Sequence, residues 1–166
     1  STQYAVYSKE MFLGKILFQD KEFEKAKEYF IRASQAQQDS ASFALLGSTY
    51  YKTGDMANAE LSILGAEKID RNSYYRLRIF GYKSLLMLRK NKSEGFDALR
   101  QYVLFLKALN LPFDTHDMNL MIDTKRVDIG ILETKIEEQS IWYENEMERF
   151  NAGEPCYFTE KLDRAM

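Results

Sequence analysis

The sequence predicts an all-α protein: an array of antiparallel helical hairpins followed by one long C-terminal helix. Three observations carry this. Proline and glycine are sparse, at 2 and 8 among 166 residues, and good helix formers fill the stretches between them. Apolar residues recur at helical spacing, broken at short intervals by polar or Gly-Asp stretches, with almost no strand-like alternation. Finally, Leu13-Gly14, Leu17, Ala26, Phe30 and Ala33 recur as Leu46-Gly47, Tyr50, Ala59, Ile63 and Ala66, each 33 residues further on.

The first hairpin covers residues 7–39. Its two helices meet at Gln19-Asp20-Lys21-Glu22, so Leu17 and Phe30 belong to opposite helices. The second covers 40–73 and turns at Gly54-Asp55, where glycine supplies the left-handed option. In each unit a glycine (Gly14, Gly47) marks the crossing of the two helices, with a small residue facing it (Ala26, Ala59) and a large one beside it (Phe30, Ile63). Ala33 and Ala66 leave room for the next unit. A further step of 34 from Gly47 reaches Gly81, which opens a third hairpin over 74–110. This unit is degenerate or has a lengthened turn, because Ala98 lies 17 residues past Gly81 where the first two units have 12. Pro112 ends the array, Asp114 or Thr115 caps a short helix over "HDMNLMI", and one long helix runs from about 124 to 150. Ile129, Leu132, Ile136, Tyr143, Met147 and Phe150 form its apolar stripe. That stripe must be buried, either as a cap on the array or against a second copy. Glu133, Glu137, Glu138, Glu144 and Glu148 have the spacing of a solvated face. Residues 151–166 read as a tail with room for a final helical turn, and the whole chain as a single helical domain.

The spacing L-G-x2-Y followed by A-x3-F-x2-A resembles the tetratricopeptide repeat, which implies a curved α-solenoid with a concave groove lined by the first helix of each unit. Residues one and four places after each glycine are then expected in the groove: Lys15 and Phe18, Ser48 and Tyr51, Tyr82 and Leu85, with Gln19 and Lys52 at the rim. Family members that grip a C-terminal carboxylate place asparagine where Ser48 and Tyr82 stand, so that mode is not expected. "LFQDKEFEKAKEYFIRA" and "DSASFALLGSTYYKTG" are similar to stretches in repeat subunits of the anaphase-promoting complex. This implies a cell-cycle scaffold whose N-terminal repeats form a homodimer. The length and acidity also resemble the three-repeat chaperones of bacterial type III secretion, which implies a translocator segment held in the groove.

Composition narrows the rest. The net charge is −2, and the one basic cluster, Arg89-Lys90-Asn91-Lys92, reads as a solvated loop, so no nucleic-acid partner is expected. A lone cysteine, Cys156, allows no internal disulfide and fits a reducing compartment, cytoplasmic or nuclear. No apolar run reaches the ~20 residues of a membrane span, and "STQYAVYSKE" lacks the pattern of a secretory leader. His116 stands alone between Asp114 and Asp117, and Cys156 has only Pro155 and Tyr157 beside it, so neither metal binding nor catalysis is expected. Phosphate loops, dinucleotide fingerprints and zinc spacings are absent, so no cofactor is expected. The reading is a non-catalytic scaffold or oligomerisation module, and after it a peptide-holding chaperone or cargo adaptor. The partner is a protein or peptide ligand in the concave groove.

Overall fold

A computed structural model describes residues 1–159. Among them are eight α-helices: α1 (Thr2–Gln19), α2 (Phe23–Ala36), α3 (Ser40–Lys52), α4 (Met56–Ile69), α5 (Arg76–Arg89), α6 (Glu94–Ala108), α7 (His116–Thr124) and α8 (Ile129–Asn151), with no strand. They pair as three hairpins, α1·α2, α3·α4 and α5·α6, stacked through α2·α3 and α4·α5. α7 packs on α6, and α8 packs along α5.

The three hairpin turns share one construction. α1, α3 and α5 each end in a left-handed residue, Lys21 (φ 62°), Gly54 (φ 86°) and Asn91 (φ 55°). That residue and the next donate back to the last turn: Lys21 and Glu22 to Phe18 and Leu17, Gly54 and Asp55 to Tyr51 and Tyr50, Asn91 and Lys92 to Leu88 and Met87. This paired closure satisfies carbonyls the helix end would leave bare. Asp39 and Asp55 then cap α3 and α4 by accepting from the amides of Ser42 and Asn58.

The packing explains the glycines. A Cβ on Gly14 would stand 2.6 Å from the Phe30 ring, and one on Gly47 2.6 Å from Ile63 and 3.3 Å from the Ala59 carbonyl oxygen. In the first hairpin it is therefore the ring of Phe30, ahead of the Ala26 methyl, that occupies the glycine's side. Ala26, Phe30, Ala33, Ala59, Ile63 and Ala66 are all fully buried.

The third hairpin differs in where its extra residues lie. Ten residues separate Gly81 from the left-handed Asn91, against seven for Gly14 to Lys21 and for Gly47 to Gly54. Most of the extra length is thus almost one added turn of α5, which keeps Gly81 on nearly the same face. The link to α6 spans only residues 90–93. A Cβ on Gly81 would meet Ile136 of α8 at 2.4 Å and Tyr102 of α6 at 3.1 Å.

α7 begins as expected, with the His116 amide held by Asp114 Oδ1 at 2.8 Å. α8 starts at Ile129 rather than near 124, because Lys125 is left-handed and Asp128 caps the new helix through the Ile131 amide. Of the expected tail, Tyr157 and Phe158 fold back against Trp142 and Tyr143, and the part after Thr159 lies outside the described residues.

Candidate functional site: a groove holding the chain's own helix

α1, α3 and α5 present their inner faces to one side, and α8 runs there antiparallel to α5. Tyr74, just before α5, donates to Asn151 at the end of α8, Arg78 meets Glu144, and Tyr82 meets Glu137. The anchor is Arg78, whose side chain is 0% exposed. Its guanidinium donates five hydrogen bonds: Nε and Nη2 to Glu144 (2.8 and 3.0 Å), Nη1 and Nη2 to Glu137 (2.7 and 2.8 Å), and Nη1 to Ser48 Oγ (2.9 Å). Every N–H it owns is therefore used, in the two-pronged geometry arginine favours with carboxylates. The rings of Phe18 and Tyr82 lie 5.4 and 5.8 Å from its charge.

One cation faces two carboxylates here. Burial, only partly offset by Arg78, pushes the Glu144 carboxyl up to about 7. Protonating it leaves Arg78 and Glu137 as a balanced pair. For Arg78, burial works against the charge, but Glu137 and Glu144 outweigh it and hold its pKa well above the ordinary value. Burial, reinforced by Glu137, likewise raises the Tyr82 hydroxyl well above the ordinary tyrosine value. At the other end of α8, Lys15 donates to Glu148 at 2.7 Å. Burial lowers the Lys15 pKa, yet Tyr75 and Glu148 overcome it and leave the group raised. Tyr102 of α6 donates to Gln139 at 2.8 Å.

The expected groove residues thus have definite places. Lys15, Ser48 and Tyr82 belong to the polar network under α8. Phe18 packs on Phe23, Phe30 and Arg78. Tyr51 stacks edge-on against Tyr82 with ring centres 5.4 Å apart, and burial, with Glu133 nearby, pushes its hydroxyl up to about 12. Leu85 is fully buried. Gln19 and Lys52 border a cleft of about 300 Å³ between the rim and Glu137, Ile141 and Asn145 of α8. One sequence expectation is corrected, and one residue is added. Glu137 and Glu144 do not belong to a solvated face, because a buried arginine on α5 draws them inward. Arg78 itself, three residues before Gly81, was not among the expected groove residues, although it shares a helical face with Tyr82 and Leu85 at i, i+4 and i+7.

The first hairpin's share of the groove is only partly covered, through Lys15 on Glu148 and Phe18 on Arg78. A cleft of about 730 Å³ lies between α1 and the end of α8, bordered by Tyr4, Ser8, Lys15, Asn72, Tyr74 and Asn151, among others. His116 sits exposed at the start of α7, and Cys156 is buried with Sγ 3.3 Å from Thr159 Oγ1. Among the described residues no group of His, Cys, Asp and Glu is placed to hold a metal, and no helix is long and apolar enough to cross a membrane.

Stacked helical hairpins with a common inner face define the class, a helical-repeat protein built to bind other proteins. Residues 11–40 and 40–73 each match the family model of the tetratricopeptide repeat. The two matches coincide with the first two hairpins, α1·α2 and α3·α4. No curated protein and no solved structure matches the chain.

Proposed function

We propose that the protein is a non-catalytic scaffold of the tetratricopeptide type, which docks a protein partner at the open, N-terminal end of its concave face. The observation behind this reading is the seating of α8. It takes the groove residues of the second and third hairpins, with Lys15 and Phe18 of the first, for the chain's own fold, and leaves the cleft beside α1 for another molecule. Aromatic and amide side chains line that cleft, giving rigid contact area with polar tips. Membership of a multisubunit assembly fits such a module. The anaphase-promoting complex in particular, with its cell-cycle role, rests on sequence resemblance alone. The lone buried cysteine suits a reducing compartment such as the cytoplasm.

The chaperone or cargo-adaptor reading survives in a restricted form, with a short peptide in the open cleft and not along the whole groove. The test is affinity capture of the full chain from its native cell, with partners identified by mass spectrometry. Ser8→Arg and Asn72→Ala, on exposed or half-exposed positions of the cleft, should keep the fold and lower recovery of the partner at least several-fold. Unchanged recovery with both variants would place the binding surface elsewhere.

A further inference from the structure

The repeat register allows the same position to be compared in three hairpins. Two residues before the glycine stand Phe12, Leu45 and Ile79. Leu45 and Ile79 are each 1% exposed, whereas Phe12 is 65% exposed. Two residues after the glycine, Thr49 is fully buried while Ile16 is 44% exposed. On a helix these positions lie about 200° from the glycine, hence away from the hairpin's own second helix. In α3 that side is turned toward α2, and in α5 toward α4. In α1 it is turned toward nothing described. The first unit therefore carries large apolar residues where a preceding hairpin would cover them, although a terminal unit exposed to water is expected to be polar there.

We infer that the outer face of α1 is an unfinished repeat interface, completed by the second helix of another hairpin that presents a small residue at the crossing, as Ala33 and Ala66 do. This continues the interface already made twice within the chain. A second copy of the protein cannot supply that helix. Ala33 and Ala66 are fully buried in their own stack, and α7 lies on α6 with Met118, Met121 and Ile122 buried. The completing hairpin is that of a partner protein of the same repeat build. Phe12 and Ile16 also border the cleft proposed above, so the two surfaces adjoin, but this inference rests on register and burial, and its test reads stability, not partner recovery.

The test is a fusion. A duplicate of residues 6–38 is placed directly ahead of Val6 in the full chain, with Val6→Asp in the original copy to provide the cap that Asp39 gives α3. In this register the duplicate's Ala33 stands before Phe12 as the native Ala33 stands before Leu45. The fusion should unfold in urea as one transition, at a higher midpoint and with a slope raised by about a fifth, since the slope follows the surface exposed. Phe12→Asp in the original copy should erase the midpoint gain, while leaving the midpoint of the unfused protein unchanged. An unshifted midpoint, or a separate low-urea transition for the added hairpin, would overturn the inference. So would concentration-dependent dimerisation of the unfused protein that Phe12→Asp abolishes, because the occupant would then be a second copy.

Discussion

Replacing Arg78 with methionine is the sharpest probe of how α8 is held. The change keeps length and apolar bulk but removes all five donors, stranding Glu137 and Glu144 against a groove that offers them little else. Breaking a buried ion pair from one side costs about 3–5 kcal/mol, because the surviving charge stays desolvated. Glu144, whose carboxyl is already pushed up to about 7, loses the cation that held it down and takes up a proton, so Glu137 is the charge left stranded at neutral pH and the whole of that range stands. Against a domain stability of about 5–15 kcal/mol, this is a large share. Urea unfolding followed by circular dichroism should show it directly. With a slope of about 2 kcal/mol per molar, the midpoint falls by about 1.5–2.5 M. Amide exchange should report loss of protection concentrated in α8, with the first two hairpins less affected. A triple variant, Arg78→Met with Glu137→Gln and Glu144→Leu, should recover most of it, since no unpaired charge remains. An Arg78→Met protein within about 1 kcal/mol of the wild type at pH 7, with α8 protection intact, would refute this account of the groove.

Four further outcomes follow from the same geometry. Glu144 has a folded-state pKa near 7 against an ordinary 4.5, so the native state holds its proton more tightly. Its contribution is fully present below about pH 4.5 and is lost as pH rises through 7; Glu144→Gln should flatten that part of the stability–pH curve measured by urea midpoints. Lys21→Gly should raise stability by up to about 1 kcal/mol in the same assay, because Lys21 sits at φ 62° in a left-handed site that suits glycine. Gly81→Ala should loosen α8, since the new methyl would stand 2.4 Å from Ile136, and exchange should rise in α8 first. Gly47→Ala should instead destabilise the second hairpin by about 1–3 kcal/mol through its clash with Ile63.

How much of this was legible in the sequence depends on the distance over which each feature is decided. The glycine–alanine register is local to a hairpin and repeats at a constant 33, so it could be read directly. Arg78 is readable in principle, since it shares a face with Tyr82, but the groove positions of the repeat pattern all follow the glycine. The inward turn of Glu137 and Glu144 was not readable. Their spacing on α8 is that of a wet surface, and what reverses it is a cation 59 and 66 residues away on another helix. The third hairpin misled for a related reason. Its added residues lie mainly inside α5, where a helix absorbs them without any break in periodicity, so spacing alone leaves a degenerate unit and a lengthened turn undistinguished.

The seating of α8 bears directly on what can bind here. A tethered helix competes from an effective concentration on the order of millimolar, so a free peptide of equal intrinsic affinity must exceed that to displace it. A displacing segment would also have to supply two carboxylates for Arg78, because a bare guanidinium in a covered site is unfavourable. Both conditions fall away at the N-terminal end. There the cleft beside α1 and the Phe12–Ile16 face are open already, and a partner loses nothing to a resident helix. On the function proposed above, the chain that fills its groove at one end leaves the other end for association. A partner found along α5, with α8 released and its amides exchanging freely, would reverse that conclusion.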